Sequence, residues 1–404
     1  MVDPNVPEEL NADRLMQFVQ QLSVVIGPRH PASQAEHEAA AYVRDVTRRL
    51  NGRWEWIDQR FHTVDGFRYQ VTPLATLTGL SLLLGLRHSR NSRLVSGLLA
   101  TGLSVMSRDA FLARPPIWEA WLPRRESQNV IVRIPPRRSA QRRIVFIAHL
   151  DSGTHHLSAD PHVVRQLPRT LGGTTLMALV GGVLTVLAGK NQRWRVLRAL
   201  IAGGALSGAA LAVVDERGSD VAGANGNASG VAVLLGLAEA LNAYPPDVTE
   251  VILAFTGSAT AVSTGADVLA TEFGNTWRDA LWVVVSHVGT GELVWVTRHG
   301  ISPYAYYAPH PDAVQMMERA ADARPDLGMM GKPVLSLDEI SILRDRDLRA
   351  VALMACDRVT GLIPHWRQND DSIHEIRRDT VERAAHACWT VTQVLDDSDT
   401  WPLS

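Results

Sequence analysis

The sequence is poor in cysteine and almost without net charge, and these shortages exclude several classes of protein. Among 404 residues only Cys356 and Cys388 are cysteines, too few for a disulfide framework and too far apart for a close-spaced metal motif. We expect both to be buried thiols. A formal net charge of −2 gives no field that attracts nucleic acid, so no nucleic-acid partner is expected. The N-terminus has no basic start followed by an apolar run, which predicts no cleaved signal peptide.

Strand-like and helix-like segments alternate along the chain. β-Branched residues mark strands at 126–136, 142–151, 250–257, 280–289 and 348–355. Apolar residues at helical spacing mark helices within 11–50, 230–244 and 379–395. The alternation predicts an α/β fold with a mostly parallel central sheet flanked by helices. A chain of this length fits a single large domain over 1–404 that carries insertions.

Two apolar segments, 71–106 and 170–214, do not belong to that pattern, and each predicts an inserted helical hairpin with a basic tip. A membrane-spanning helix needs roughly 17–25 apolar residues, which only 170–189 clearly provides. The richness in Gly, Ala, Leu and Val, without a polar face, favours membrane helices. The alternatives are hairpins buried against a soluble core, or a soluble homodimer interface. The sequence leaves the oligomeric state open.

Paired insertion of the hairpins places the two ends of the chain and the α/β core on the same side of a membrane. Arginines lie at both ends of the apolar runs, so the excess of positive charge that normally marks the cytoplasmic side is weak here. The sequence therefore leaves the orientation undecided, with a lean toward cytoplasmic tips and an extracytoplasmic core.

The motif AHLDS places His149 and Asp151 two residues apart where a predicted strand ends. Ligand sites of open α/β sheets gather at such carboxyl ends, and a histidine there can bind zinc while the carboxylate orients it. Taken alone, the pair fits a hydrogen-bonded loop equally well. The order of the surrounding blocks is more specific: IGPRHPASQAEHEAAAYVRDVTRRL, NVIVRIPP, IVFIAHLDS, GANGNASGVAVLLGLAEAL and VILAFTGSATAVSTGA.

In this order the blocks resemble the zinc exopeptidase family, metallopeptidase family twenty-eight, which includes bacterial aminopeptidases, glutamate carboxypeptidase and glutaminyl cyclases. The later segments LDEISILRDRDLRAVALMA and PHWRQNDDSIHEI are similar to the family segment before the last core strand and to its final histidine loop. The resemblance covers nearly the whole chain apart from the two hairpins. It implies the α/β fold that the periodicity also predicts.

The resemblance further implies a two-zinc site held by a histidine, a bridging aspartate, a glutamate, a second aspartate and a last histidine, with another glutamate as general base. His149 matches the first histidine, and Asp151 matches the aspartate that supports it. Four family positions carry residues that do not supply the expected ligand or base: Gly226 at the bridging aspartate, Ala259 at the general base, Thr260 at the glutamate and Ser286 at the second aspartate. The last histidine falls on either His365, which would keep a ligand, or Arg367, which would remove it.

Too few ligands remain for the family's chemistry. A catalytic zinc generally needs three protein ligands and an open position. The sequence therefore predicts a membrane-attached pseudoenzyme without a cofactor, which acts by binding a peptide or small ligand in a remnant pocket, or as a scaffold. The alternative is a metal-dependent aminopeptidase or related amidohydrolase with at most one zinc, held by His149, Asp151 and His365 with help from Asp220 or Asp370.

Other histidines near these positions are given structural roles. His287 follows Ser286, and strand alternation predicts that its side chain points to the other face of the sheet. His155, His156 and His162 are close in sequence, but we expect them to lie in a solvated loop rather than in a metal cluster.

Overall fold

The computed structural model describes residues 6–51, 53–87, 89–112, 114–187, 192–398 and 401. Within these described residues, nine strands form a central sheet. In chain order they are β1 Glu55–Thr63, β2 Arg125–Ile134, β3 Arg142–His149, β4 Thr249–Thr256, β5 Leu281–Val285, β6 Glu292–Ser302, β7 Ala305–Tyr307, β8 Met330–Pro333 and β9 Arg349–Cys356. Their order across the sheet is β1-β2-β4-β3-β5-β9-β6-β7, and β8 pairs with β6.

The centre of the sheet is parallel and its edges are antiparallel. β4, β3, β5 and β9 run parallel to one another, whereas β1 and β2 on one side, and β6 and β7 on the other, pair antiparallel with their neighbours. The residues of β4 and β5 are all buried, as expected for strands covered on both faces. The predicted α/β fold with a central sheet between helices is therefore confirmed, and its parallel pairs are those among the four central strands and the β6–β8 pair.

Helices cover both faces of this sheet. In chain order they are α1 Ala12–Gln20, α2 Gln34–Leu50, α3 Arg68–Leu84, α4 Arg90–Ala110, α5 Pro161–Val164, α6 Leu167–Leu187, α7 Gln192–Asp215, α8 Ser229–Ala243, α9 Ala259–Val262, α10 Thr264–Phe273, α11 Pro311–Ala323, α12 Ile340–Asp345 and α13 Arg378–Asp396. Side chains of β3 alternate between two cores. Phe146 packs with α1, α2, α8, α11 and α13, and Val145 packs with α10 and α12. Cys356 and Cys388 are buried free thiols, as predicted.

The two apolar segments form helical hairpins that pack together as a four-helix bundle. α3 packs on α4 and α7, and α4 packs on α6. Small residues allow close approach, because a Cβ on Gly182 of α6 would lie 2.6 Å from the Thr101 Oγ1 atom of α4. The helices extend beyond the predicted limits 71–106 and 170–214 by a few residues at either end.

Both hairpins leave the sheet at the edge where the central strands end. The first hairpin connects β1 to β2, and the second follows β3. Because β1 pairs antiparallel with β2, and β2 pairs antiparallel with β4, the last residue of β1 lies at the same edge as the last residues of β3 and β4. The bundle therefore stands on the carboxyl edge of the sheet.

Candidate functional site

A small pocket lies at the carboxyl ends of β3, β4 and β5, and its cavity volume is about 30 Å³. The enclosed part of this pocket has room for one or two water molecules. The structure brings most of the predicted site positions to its wall: His149, Gly226, Ala259, Thr260, Ser286 and Arg367. Asp151 lies directly behind the wall and is fully buried.

Both carboxylate oxygens of Asp151 accept hydrogen bonds from Ala259 and Thr260, which stand at the positions that the resemblance assigns to two glutamates. Its Oδ1 atom accepts a 2.9 Å hydrogen bond from the Ala259 amide. Its Oδ2 atom accepts from the Thr260 amide at 2.8 Å and from the Thr260 hydroxyl at 2.6 Å. Burial raises the pKa of Asp151, but its interactions with His149 and Thr260 outweigh that effect and hold the pKa at about 2. The carboxylate is therefore a charged, fully bonded part of the wall.

His149 ends β3 and is oriented by the Asp151 backbone. Its Nδ1 atom donates to the Asp151 carbonyl oxygen at 2.9 Å and lies 3.4 Å from the Asp151 Oδ1 atom. Burial lowers the pKa of His149, but the Asp151 carboxylate outweighs this effect and the net shift is upward. With Nδ1 occupied, Nε2 is the ring nitrogen left to face a ligand.

Gly226 and His287 together occupy the position of the bridging carboxylate. A Cβ on Gly226 would lie 2.9 Å from the His287 Nε2 atom. The prediction that His287 points to the other face of the sheet was wrong, because residue 287 lies beyond the end of β5 and has a φ of 55°, which breaks strand alternation. Its Nδ1 atom shares a 2.6 Å hydrogen bond with the Ser286 hydroxyl. Burial, followed by repulsion from His149, lowers the pKa of His287 to about 3, so the ring is neutral.

In the final loop, Arg367 lines the pocket and His365 does not. The Arg367 Nη2 atom donates to the Thr260 carbonyl oxygen at 2.7 Å, and Nη1 lies 3.2 Å from the His156 Nε2 atom. His365 pairs instead with Asp370 at 2.8 Å and with Glu375 at 3.5 Å, outside the pocket. Of the two candidates for the last histidine position, the structure therefore places Arg367, and not His365, at the pocket.

The neighbouring histidines are only partly solvated. His162 is exposed, as expected. The expectation was wrong for His156, which is buried between two charged groups: its Nδ1 atom lies 3.2 Å from Asp215 at the end of α7, and its Nε2 atom faces Arg367. Burial, followed by repulsion from Arg367, lowers the pKa of His156. Through this neutral ring the last residue of the bundle contacts the wall of the pocket.

Three acidic residues of the site were not identified from the sequence. Glu339 lines the pocket, and both of its carboxyl oxygens are buried without a hydrogen-bond partner among the described residues. Asp371 accepts the amides of Asn225 and Gly226 at 2.6 and 3.1 Å. Glu36 accepts the Ser258 amide at 2.7 Å behind the pocket. All three lie inside sequence blocks that resemble the family, so their acidic side chains within those blocks could have marked them as site candidates.

These residues do not fit a pair of zinc ions. Gly226 supplies no bridging carboxylate, the Asp151 oxygens are occupied, and the Arg367 guanidinium places a positive charge in the pocket. Within residues 6–398, apart from the gaps given above, no group of three His, Cys, Asp or Glu side chains is arranged to hold a metal ion. The single-zinc set of His149, Asp151 and His365 is thus not assembled, because His365 turns toward Asp370 and Glu375.

Comparison with solved structures identifies the class of fold. The chain is similar to a glutaminyl cyclase from Bacteroides thetaiotaomicron, solved with N-acetylhistamine, at a TM-score of 0.57 and 14% identity over 98% of this chain and 100% of that one. A Zn-dependent exopeptidase from Parabacteroides distasonis gives 0.56 and 15% over 96% and 99%. The zinc aminopeptidase BSAP from Bacillus subtilis gives 0.55 and 13% over 95% and 94%.

The chain therefore has the zinc exopeptidase fold of bacterial aminopeptidases and glutaminyl cyclases, as the order of its sequence blocks indicates. No protein-family model and no curated protein matches its sequence.

Proposed function

We propose that this chain is a membrane-attached, non-catalytic protein of the zinc exopeptidase fold, which binds a ligand at the remnant pocket or acts as a scaffold. The observation that carries the proposal is the Arg367 guanidinium in the pocket wall, at one of the two positions to which the resemblance assigns a metal-binding histidine. At an effective dielectric constant of about 20, a divalent cation about 6 Å from a guanidinium is opposed by roughly 5 kcal/mol. A pocket with this fixed charge favours an anionic or carbonyl-bearing ligand over a metal ion.

Membrane attachment is supported by the surface of the bundle. α6 and α7 are long and apolar enough to span a membrane, and only 22% and 17% of their apolar windows are buried. A core helix of a soluble protein would be mostly buried. Many large apolar side chains on the four helices are exposed, among them Leu80, Leu98, Met177, Val196, Leu200 and Leu211. An apolar surface on all sides of a bundle is best matched by lipid chains.

The position of the pocket supports a ligand that approaches along the membrane. The bundle and the pocket share the carboxyl edge of the sheet, and Asp215 at the end of α7 is linked to Arg367 through His156.

We place the core outside the cytoplasm, with the basic hairpin tips inside. External protease added to sealed vesicles should then digest the core, and a protected core would contradict this orientation.

Two measurements on the full chain test the proposal. Membranes washed with sodium carbonate should retain the chain, and detergent should release it. The detergent-purified chain, with or without added zinc, should release no amino acid from aminoacyl substrates above the background of the H149A variant. Release of the chain into carbonate, or zinc-dependent hydrolysis that H149A abolishes, would overturn membrane attachment or inactivity respectively.

Glu339 is the one observation that favours the second candidate, an amidohydrolase with an altered site. Its buried carboxyl group faces the pocket without a hydrogen-bond partner among the described residues, so it is free to exchange a proton with a bound substrate. Burial raises its pKa to about 7, although His149 opposes the shift. This candidate predicts hydrolysis that both H149A and E339Q abolish, whereas the binding proposal predicts none in any variant.

A further inference from the structure

A second cavity lies where the bundle meets the edge of the sheet, away from the pocket described above. Its volume is about 330 Å³, within the range of small-molecule sites. Pro168 at the start of α6 forms one wall, and residues of β6 and of the segment after β8 form the others. Apart from Arg298, these walls are apolar or uncharged: they include Pro303, Val334 and Leu335. We call this cavity the basal groove.

Exposed aromatic residues surround the base of the bundle at the level of the groove. Gly172, near the start of α6, packs against the turn between β6 and β7, because a Cβ there would lie 2.7 Å from Pro303 and 3.5 Å from Tyr304. Tyr304 is 56% exposed, and Trp121, in the segment that follows α4, is 86% exposed. Tyr and Trp are enriched where a protein crosses from lipid to water. The basal groove thus lies at the depth of lipid headgroups when the bundle spans a membrane.

Arg298 gives the groove a cation without a counter-ion. Its guanidinium lies 4.1 Å from the centre of the Tyr306 ring, and no carboxylate forms an ion pair with it among the described residues. Stacking on an aromatic ring orients a guanidinium while leaving its N–H groups free to donate. A planar guanidinium binds phosphate oxygens through two parallel hydrogen bonds. Beside apolar walls, this chemistry matches a phosphate that carries a glycerol and acyl chains.

We propose that the basal groove binds the headgroup of an anionic phospholipid, with Arg298 holding the phosphate and Val334 and Leu335 contacting the apolar part. This inference rests on the membrane attachment proposed above. It extends that proposal from a hydrophobic anchor to a site that recognises lipid charge. A lipid bound there would fix the α/β core against the membrane surface, next to the edge that carries the pocket.

The test uses the full chain in a neutral detergent, with short-chain phosphatidylglycerol, phosphatidylcholine or glycerol phosphate added. Phosphatidylglycerol should raise the melting temperature by about 2–4 °C, since a ligand that binds only the folded state stabilises it. Phosphatidylcholine and glycerol phosphate should leave it unchanged. R298Q should lose most of the rise, and R298K should keep part of it. R138Q is the matched control, because Arg138 is exposed and precedes β3 at the opposite edge of the sheet.

Each contrary result has a distinct meaning. Equal shifts with both lipids, or a full phosphatidylglycerol shift in R298Q, would overturn the headgroup site. A shift with glycerol phosphate alone would assign the groove to a soluble phosphate ester and overturn the lipid assignment. If R298Q fails to fold, the phosphorus content of the purified parent and of R298K is compared instead. The proposal predicts less co-purified phospholipid in R298K. A chain that stays monodisperse without detergent would contradict membrane attachment itself, whereas a detergent-requiring chain indifferent to phosphatidylglycerol would contradict only the groove.

Discussion

Gly226 and His287 lie against each other in the pocket. Gly226 has no side chain, and the His287 ring fills the space that a side chain at residue 226 would need. The His287 ring is held in place, because its Nδ1 atom is hydrogen-bonded to the Ser286 hydroxyl and the His287 backbone amide donates to the Asn227 side chain at 3.2 Å. The space of the expected bridging carboxylate is therefore filled by protein. Restoring a carboxylate at residue 226 alone would not restore the metal site.

Substitution G226A tests this contact. The new Cβ would lie 2.9 Å from the His287 Nε2 atom, so we expect a loss of about 1–3 kcal/mol in the free energy of unfolding. G153A is the matched control in the same pocket, because a Cβ there meets Thr260 at an ordinary 3.6 Å. The cost of G226A should shrink in an H287A background. Equal costs of G226A with and without His287 would show that the ring is not the obstacle.

The Glu339 carboxyl predicts a pH dependence of stability. Burial raises its pKa to about 7, so the folded chain holds the proton more tightly than the unfolded chain. Its contribution to stability is complete below the unfolded pKa of 4.5 and is lost as the pH rises through 7. E339Q avoids that loss and should be more stable than the parent at pH 8.5, by on the order of 3 kcal/mol, with little difference at pH 4.5. E318Q, at an exposed position of α11, should show no such pH dependence.

At the scale of elements, the sequence predicted the central strands and the hairpins but not the edges of the sheet. β3, β4 and β5 are continuous apolar runs whose burial follows from composition alone. β7 and β8 have only three and four residues, and both pair with β6. No local sequence pattern predicts that pairing. His149 was placed correctly because it ends a strong strand. Glu339 and His287 were missed or misplaced because their positions depend on loops and on a left-handed residue.

The close packing of α6 on α4 gives a prediction at this scale. G182L should destabilise the bundle by about 1–3 kcal/mol, because a Cβ at residue 182 would lie 2.6 Å from Thr101 Oγ1 and 3.1 Å from the Gly97 carbonyl oxygen. G173L on the same helix is the control, since a Cβ there meets no atom within 4 Å. Thermal unfolding in detergent compares the two. A bundle that tolerates both substitutions equally would mean that these helices do not pack in this arrangement.

At the scale of the whole molecule, an apolar bundle and a small pocket share the carboxyl edge of the central sheet. The bundle is joined to the pocket wall through His156, which lies between Asp215 at the end of α7 and Arg367. Under the proposed membrane attachment, the pocket and the basal groove would both lie near the membrane surface, and function is expected there. The fold could be inferred from the order of sequence blocks. The contacts between the hairpins and the pocket could not, because they join residues that are far apart in sequence.

Metal analysis of the detergent-purified full chain, after incubation with excess zinc and removal of unbound ions, tests the central claim most directly. We expect well below one zinc ion per chain, because the carboxylates that would hold a metal pair are replaced or already hydrogen-bonded. A stoichiometric pair of zinc ions, removable by chelator together with release of amino acids from peptides, would contradict the account.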